Sequence, residues 1–158
     1  MSVLEREIKI DISAEQAWSV LADFENIHAF APGIKASPLL SETKNGVGAC
    51  RRCAFSMGGM SMVETITAWE EGRSFTIELS EFPMPFHRGV MTFMVTSLLD
   101  NQCLVKAVLN YDMKYGFFGA IMNKLMIRPM MGMQFNKLLK GIEEYAKKSL
   151  ATTPLSVG

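Results

Sequence analysis

The chain has no long hydrophobic run, little cysteine, two histidines and no net charge. No window approaches the ~20 apolar residues of a membrane-spanning helix. The opening MSVLEREIKI alternates charge with apolar residues and lacks the uninterrupted core of a signal peptide, so a cytoplasmic location is expected. Sixteen basic residues balance sixteen acidic ones, and no basic patch is present, so nucleic acid is not an expected partner. Three cysteines, an odd number, point to free thiols in a reducing compartment. Cys50 and Cys53 have C-x-x-C spacing, but they fall in a stretch that reads as a strand, where residues three apart face opposite ways. No second cysteine pair follows and neither histidine stands at ligand spacing, so no metal is expected. Also missing are G-x-S-x-G, a glycine-rich phosphate loop and a carboxylate pair at catalytic spacing. Gly58-Gly59 and Gly46-x-Gly48 read as turns, so no nucleotide cofactor is expected, and any enzymatic activity would have to rest on pocket shape and a single acid.

What is present suits one globular domain. The 158 residues are 49% hydrophobic and 20% charged, enough for a sizeable core over residues 1–150, with 151–158 read as a disordered tail. The longest helical stretch is Phe117–Lys148, which would extend ~48 Å. Its apolar or small residues recur as Ile121, Leu125, Pro129, Gly132, Phe135, Leu138, Ile142 and Tyr145, and its lysines and glutamates take the other face. Pro129 should bend it. Methionine is abundant, 13 residues, six of them between Met113 and Met133. Such side chains fill irregular gaps and line adaptable surfaces.

Ahead of that helix the chain reads mainly as strands. Val3–Ile12 is the first. Ser13 and Gln16 suit a capping box for a helix over Ala14–Ala22, and a second short helix is expected over Phe24–Phe30. Strands follow over Val47–Met57 and Met60–Trp69, Arg73–Phe82, and His87–Leu99 and Gln102–Lys114. A two-residue turn at Gly58-Gly59 would put Arg51, Phe55, Met62 and Glu64 on one apolar face, with Arg51 diagonal to Glu64. Phe75 and Ile77 alternate inward on the next strand. A two-residue turn at Asp100-Asn101 would group Arg88, Thr92 and Met94 with Tyr111 on the inner face.

The order of elements, together with AEQAWSVLADFENIHAFAPGI, GVGACRRCAF, MVETITAWEEG and LLKGIEEYAKK, resembles the START and birch-pollen-allergen (SRPBCC) superfamily, in particular its polyketide cyclase/dehydrase and lipid-transport branch. The resemblance covers roughly Val3–Lys148. It implies an α+β helix-grip fold: a curved antiparallel sheet wrapped on a long C-terminal helix, with two short helices after the first strand. It also implies a cavity between sheet and helix for a hydrophobic small molecule such as a lipid, a polyketide-like compound or an isoprenoid. The expected lining is Arg51, Phe55, Met62, Glu64, Phe75, Ile77, Arg88, Thr92, Met94, Tyr111, Leu125, Arg128 and Gly132. An alternative is a cyclase/aromatase in which Glu64, Tyr111 or Arg51 polarises a substrate carbonyl. Surplus apolar residues in Phe117–Met133 also suit a peripheral membrane contact or a homodimer.

Overall fold

The computed structural model describes residues 2–83 and 85–152, with side chains through Ser149. Seven strands form a single antiparallel sheet in the order β1-β7-β6-β5-β4-β3-β2. They are β1 (Ser2–Ile10), β2 (Ile34–Ala36), β3 (Cys50–Phe55), β4 (Ser61–Glu70), β5 (Ser74–Ser80), β6 (Phe86–Ser97) and β7 (Cys103–Met113). Helix α1 (Ala14–Ala22) and a 3₁₀ helix (Phe24–Ala29) follow β1. The chain closes with α2 (Gly116–Met122), a π-helical segment (Asn123–Ile127) and α3 (Arg128–Thr152). This is the helix-grip architecture. Residues 153–158, most of the expected disordered tail, lie outside the described residues.

Local sequence explains the start of the fold. The Ser13 hydroxyl accepts from the Gln16 amide and the Gln16 side chain accepts from the Ser13 amide, so the capping box forms as expected. Helix α1 then buries Ala17, Trp18, Val20 and Leu21. Trp18 and Trp69 meet edge to face at 5.1 Å, and both indole N–H groups donate to Glu71, at 3.0 and 2.7 Å. One carboxylate thus ties α1 to the β4–β5 turn.

Two hairpin registers differ from expectation, with opposite consequences. At Gly58-Gly59 the Phe55 amide bonds the Met60 carbonyl at 2.9 Å, so the loop holds four residues and Arg51 pairs with Glu64 directly. The slip is two residues, an even number, and every side chain keeps its expected face. Between β6 and β7 the loop holds three residues, Leu99–Asn101, with Asp100 and Asn101 at φ of 60° and 57°. Ser97 therefore pairs with Cys103 and Val95 with Val105. That slip is one residue, and it turns β6 over. Met91, Phe93 and Val95 are buried with β7's Val105, Ala107, Leu109 and Tyr111. The expected inward placement of Arg88, Thr92 and Met94 is therefore corrected: all three lie on the outer face, where the Thr92 hydroxyl meets that of Thr76 at 3.0 Å.

The final helix also differs in phase. Proline at 129 cannot donate, and its ring crowds the carbonyl of residue 125. The ladder widens to a π turn immediately before it, over Asn123–Ile127. The extra residue rotates the buried face. Ile127, Met131, Phe135, Leu139, Ile142 and Ala146 point to the core, while Ile121 and Leu125 point to solvent. Leu125, expected on the buried stripe, is 70% exposed. Helix α3 lies on β1 and α1, and close approach is permitted by glycine. A Cβ at Gly141 would stand 2.0 Å from the Phe30 carbonyl oxygen, and one at Gly132 would stand 2.6 Å from the Arg6 guanidinium.

Candidate functional site

The candidate polar residues fall on one line across the sheet. Arg51 pairs with Glu64, Glu64 with Leu79, Leu79 with Gly89, Gly89 with Tyr111 and Tyr111 with Ser2. Cross-strand partners point to the same face, so this row runs over the concave side. Glu64 and Tyr111 stand three strands apart, about 14 Å at ordinary strand spacing. Between them are only Leu79 and a glycine.

The first end is a buried ion pair. Arg51 and Glu64 are each 2% exposed. The Arg51 Nε donates to Glu64 Oε2 at 2.6 Å, its Nη2 makes a second close contact to the same oxygen, and its Nη1 donates to the Phe24 carbonyl. The guanidinium carbon lies 3.7 Å above the centre of the Phe24 ring. The cation therefore has a carboxylate, a carbonyl and a π face in place of water. Beside it, burial pushes the Cys53 thiol well above its ordinary range, and the Glu64 charge adds to this. Cys103 is also pushed up by burial. Both sulfurs are protonated and poorly nucleophilic. Cys50, on the other face of β3, accepts a hydrogen bond from the Thr65 hydroxyl at 3.3 Å. The C-x-x-C pair is split between faces.

The second end is a clasp. Tyr111, 1% exposed, donates its hydroxyl to Asn123 Oδ1, and the Asn123 amide donates to the Ser2 hydroxyl at 3.2 Å. Asn123 opens the π segment, so this clasp fixes the helix where it changes phase. Phe86 packs against Tyr111 at 5.1 Å and Phe82 against Phe86 at 5.3 Å. Met113 and Met122, both half-buried, are packed against the core.

The remaining expected residues are distributed as follows. Phe75 and Ile77 are buried on β5, while Phe55 and Met62 are half-buried near the β3–β4 turn. Arg128 donates to the Val3 carbonyl at 2.7 Å, which ties α3 to β1. Gly132 is covered by Arg6. Neither Arg128 nor Gly132 joins the row. His28, outside that set, meets the buried Ser37 hydroxyl at 2.8 Å. The sequence reading missed Phe24, Gly89 and Asn123. The first holds Arg51 through its carbonyl and ring, the second lets the Leu79 side chain lie over the middle of the row, a methyl 3.1 Å from where a Cβ would stand, and the third reaches Tyr111 from a helix phase that the sequence does not display.

Two open recesses lie outside the sheet–helix interval. One of about 680 Å³ is bordered by Phe30, Pro32, Lys137, Lys140 and Tyr145, and one of about 500 Å³ by Glu5, Arg6, Glu7 and Lys106. Among the described residues, no group of three or more His, Cys, Asp or Glu side chains is placed to hold a metal.

Known structures share this architecture. An aromatase/cyclase, Zhui, from a Streptomyces species superposes with a TM-score of 0.80 at 12% identity, over 94% of this chain and 95% of that one. A START superfamily protein from Mycobacterium smegmatis gives 0.74 at 19% identity, over 92% and 97%. Norcoclaurine synthase from Thalictrum flavum gives 0.71 at 16%, over 94% and 96%. At these identities the likeness is one of fold. No curated protein matches the sequence. A family model described as polyketide cyclase/dehydrase and lipid transport matches residues 1–147, nearly the whole chain. With that match and this fold, the chain belongs to the polyketide cyclase/dehydrase and lipid transport family of the SRPBCC superfamily.

Proposed function

We propose that this protein binds a hydrophobic small molecule, of the lipid, isoprenoid or polyketide class, between the inner face of the sheet and the C-terminal helix. The observation that carries the reading is the cross-strand row: two polar ends about 14 Å apart, with only Leu79 and Gly89 between them. An elongated apolar guest lying along that apolar middle matches the pattern. Methionine supports it. Met91 and Met131 are buried, and Met62, Met113 and Met122 are half-buried against the core. Unbranched thioethers move aside for a guest more easily than branched side chains do. The neighbouring aromatase/cyclase and START proteins share the fold.

The geometry favours binding over catalysis. A cyclase would present Glu64, Arg51 or the Tyr111 hydroxyl to a substrate carbonyl. Here Glu64 is held by Arg51, and the Tyr111 proton is given to Asn123. All three groups are engaged within the protein rather than turned to a guest.

The test is titration with a fluorescent fatty acid analogue, alongside native mass spectrometry of protein isolated without detergent. Gly89→Ala, whose Cβ would stand 3.1 Å from a Leu79 methyl and push that side chain into the row, should weaken binding about tenfold, roughly 1.4 kcal/mol, with the melting temperature followed alongside. Saturable binding of equal strength in wild type and variant, or no binding and no copurified mass in either, would overturn the reading.

A further inference from the structure

The family fold accounts for the concave side of the sheet but not for the outward side of the last helix. Between Phe117 and Met133 the exposed residues include Phe117 (78%), Phe118 (76%), Leu125 (70%), Met126 (66%) and Met133 (60%). Phe117, Ile121, Leu125, Pro129 and Met133 recur every fourth residue, and all five are exposed. The π turn within this stretch, with its wider i→i+5 ladder, helps keep that line on one side. At ~1.5 Å per residue it is about 25 Å long. An apolar strip of this length on a helix signals a surface meant to be covered.

Charge identifies what covers it. Residues 113–142 contain Lys114, Lys124, Arg128, Lys137 and Lys140, and no aspartate or glutamate. That is five positive charges minus none, +5, in a chain whose net charge is zero. Lys137, Lys140 and Lys148 border the 680 Å³ recess at the far end of the strip, against one acid there, Glu144. A second copy of the chain docked through this face would set +5 against +5. A protein partner would need a groove complementary to a convex row of phenylalanine and methionine. A fluid bilayer needs none, and anionic headgroups answer the cations. Among the described residues no helix is long and apolar enough to cross a membrane, so the strip would lie on the surface.

We propose that the outward strip Phe117–Met133, with its flanking lysines, docks this domain on an anionic phospholipid surface. Phe117 and Phe118 sit together at 6.4 Å and provide the aromatic anchor at the headgroup boundary. This does not depend on the interior binding anything.

The test is vesicle flotation with phosphatidylserine-containing and pure phosphatidylcholine vesicles at low and high salt, with sedimentation velocity run in parallel. Wild type should float with the anionic vesicles at least roughly tenfold better than with the neutral ones, and lose that preference in high salt. Phe117→Ser/Phe118→Ser and, separately, Lys124→Glu/Lys140→Glu should each reduce flotation about tenfold, with unchanged melting temperature because all four side chains are exposed. Failure of wild type to float, flotation without anionic preference, or a wild-type dimer that becomes monomeric in the phenylalanine variant would overturn the proposal. The last result would assign the face to a second copy.

Discussion

Replacing Glu64 with glutamine removes a charge and changes almost no volume. Arg51 then stays 2% exposed with no counter-charge, holding only an amide oxygen, the Phe24 carbonyl and the Phe24 ring. Breaking a buried pair from one side costs ~3–5 kcal/mol, because the surviving ion has been taken out of water without compensation. Against a total stability of ~5–15 kcal/mol, that is a large share. For a domain of this size it corresponds to a fall in melting temperature of about 10 °C or more. Removing both charges should cost far less. In Arg51→Met/Glu64→Leu the desolvation of both ions disappears along with their attraction, and the double variant should be more stable than Glu64→Gln alone. Urea unfolding followed by far-ultraviolet circular dichroism measures wild type, Glu64→Gln, the single variants Arg51→Met and Glu64→Leu, and the double variant. A loss below ~1 kcal/mol for Glu64→Gln would contradict the reasoning, since surface pairs behave that way. So would a double variant as unstable as the sum of its single changes, because a coupled pair must depart from additivity.

The remaining predictions concern the helix contacts and the thiols. Gly141→Ala should destabilise the protein by ~1–3 kcal/mol in the same urea assay, because its Cβ meets the backbone oxygen of Phe30 at 2.0 Å and backbone cannot swing aside. Gly132→Ala should be within ~1 kcal/mol of wild type, because its 2.6 Å clash is with the movable end of Arg6 and the helix gains from alanine. Cys53 supplies a pH dependence. Its folded-state pKa is raised above the unfolded value of 9.0, so its contribution is fully present below pH 9 and is lost as pH rises further. Stability should fall by up to ~1.4 kcal/mol per pH unit above pH 9, and Cys53→Ala should flatten that slope. Equal slopes would show that Cys53 ionises as freely in the folded protein as in the unfolded one. At neutral pH a small disulfide reagent should modify half-buried Cys50 and spare Cys53 and Cys103; rapid labelling of all three would count against their burial.

Features controlled by neighbours in the chain were readable from the sequence. The Ser13–Gln16 cap fixes the start of α1, and alternation along β5 fixes Phe75 and Ile77 inward. The Arg51–Glu64 face was legible despite a wrong register, because an even slip preserves sidedness. The β6 face was not. Asp100 and Asn101 fit either a two- or a three-residue loop, and one residue of difference moved Arg88, Thr92 and Met94 to the outside. The phase of the last helix was hidden for a similar reason. Pro129 announces a disturbance, but whether a helix bends or inserts a π turn depends on what its faces meet, here β1, Tyr111 and Ser2. Leu125 changed sides as a result. The Phe24 carbonyl and Asn123 carry no local signal, because their roles exist only through partners 27 and 12 residues away.

The methionines provide a direct view of where a guest goes. With carbon-13 methyl labelling, each methionine gives its own nuclear magnetic resonance signal. Met62 and Met91 lie on the concave side of the sheet and Met131 faces it from α3, whereas Met126, Met130 and Met133 lie on the outward strip. Titration with a soluble fatty acid should shift Met62, Met91 and Met131 saturably, in step with one another, while the outward three stay in place. Shifts confined to Met126, Met130 and Met133, or none at any methionine, would contradict binding between sheet and helix.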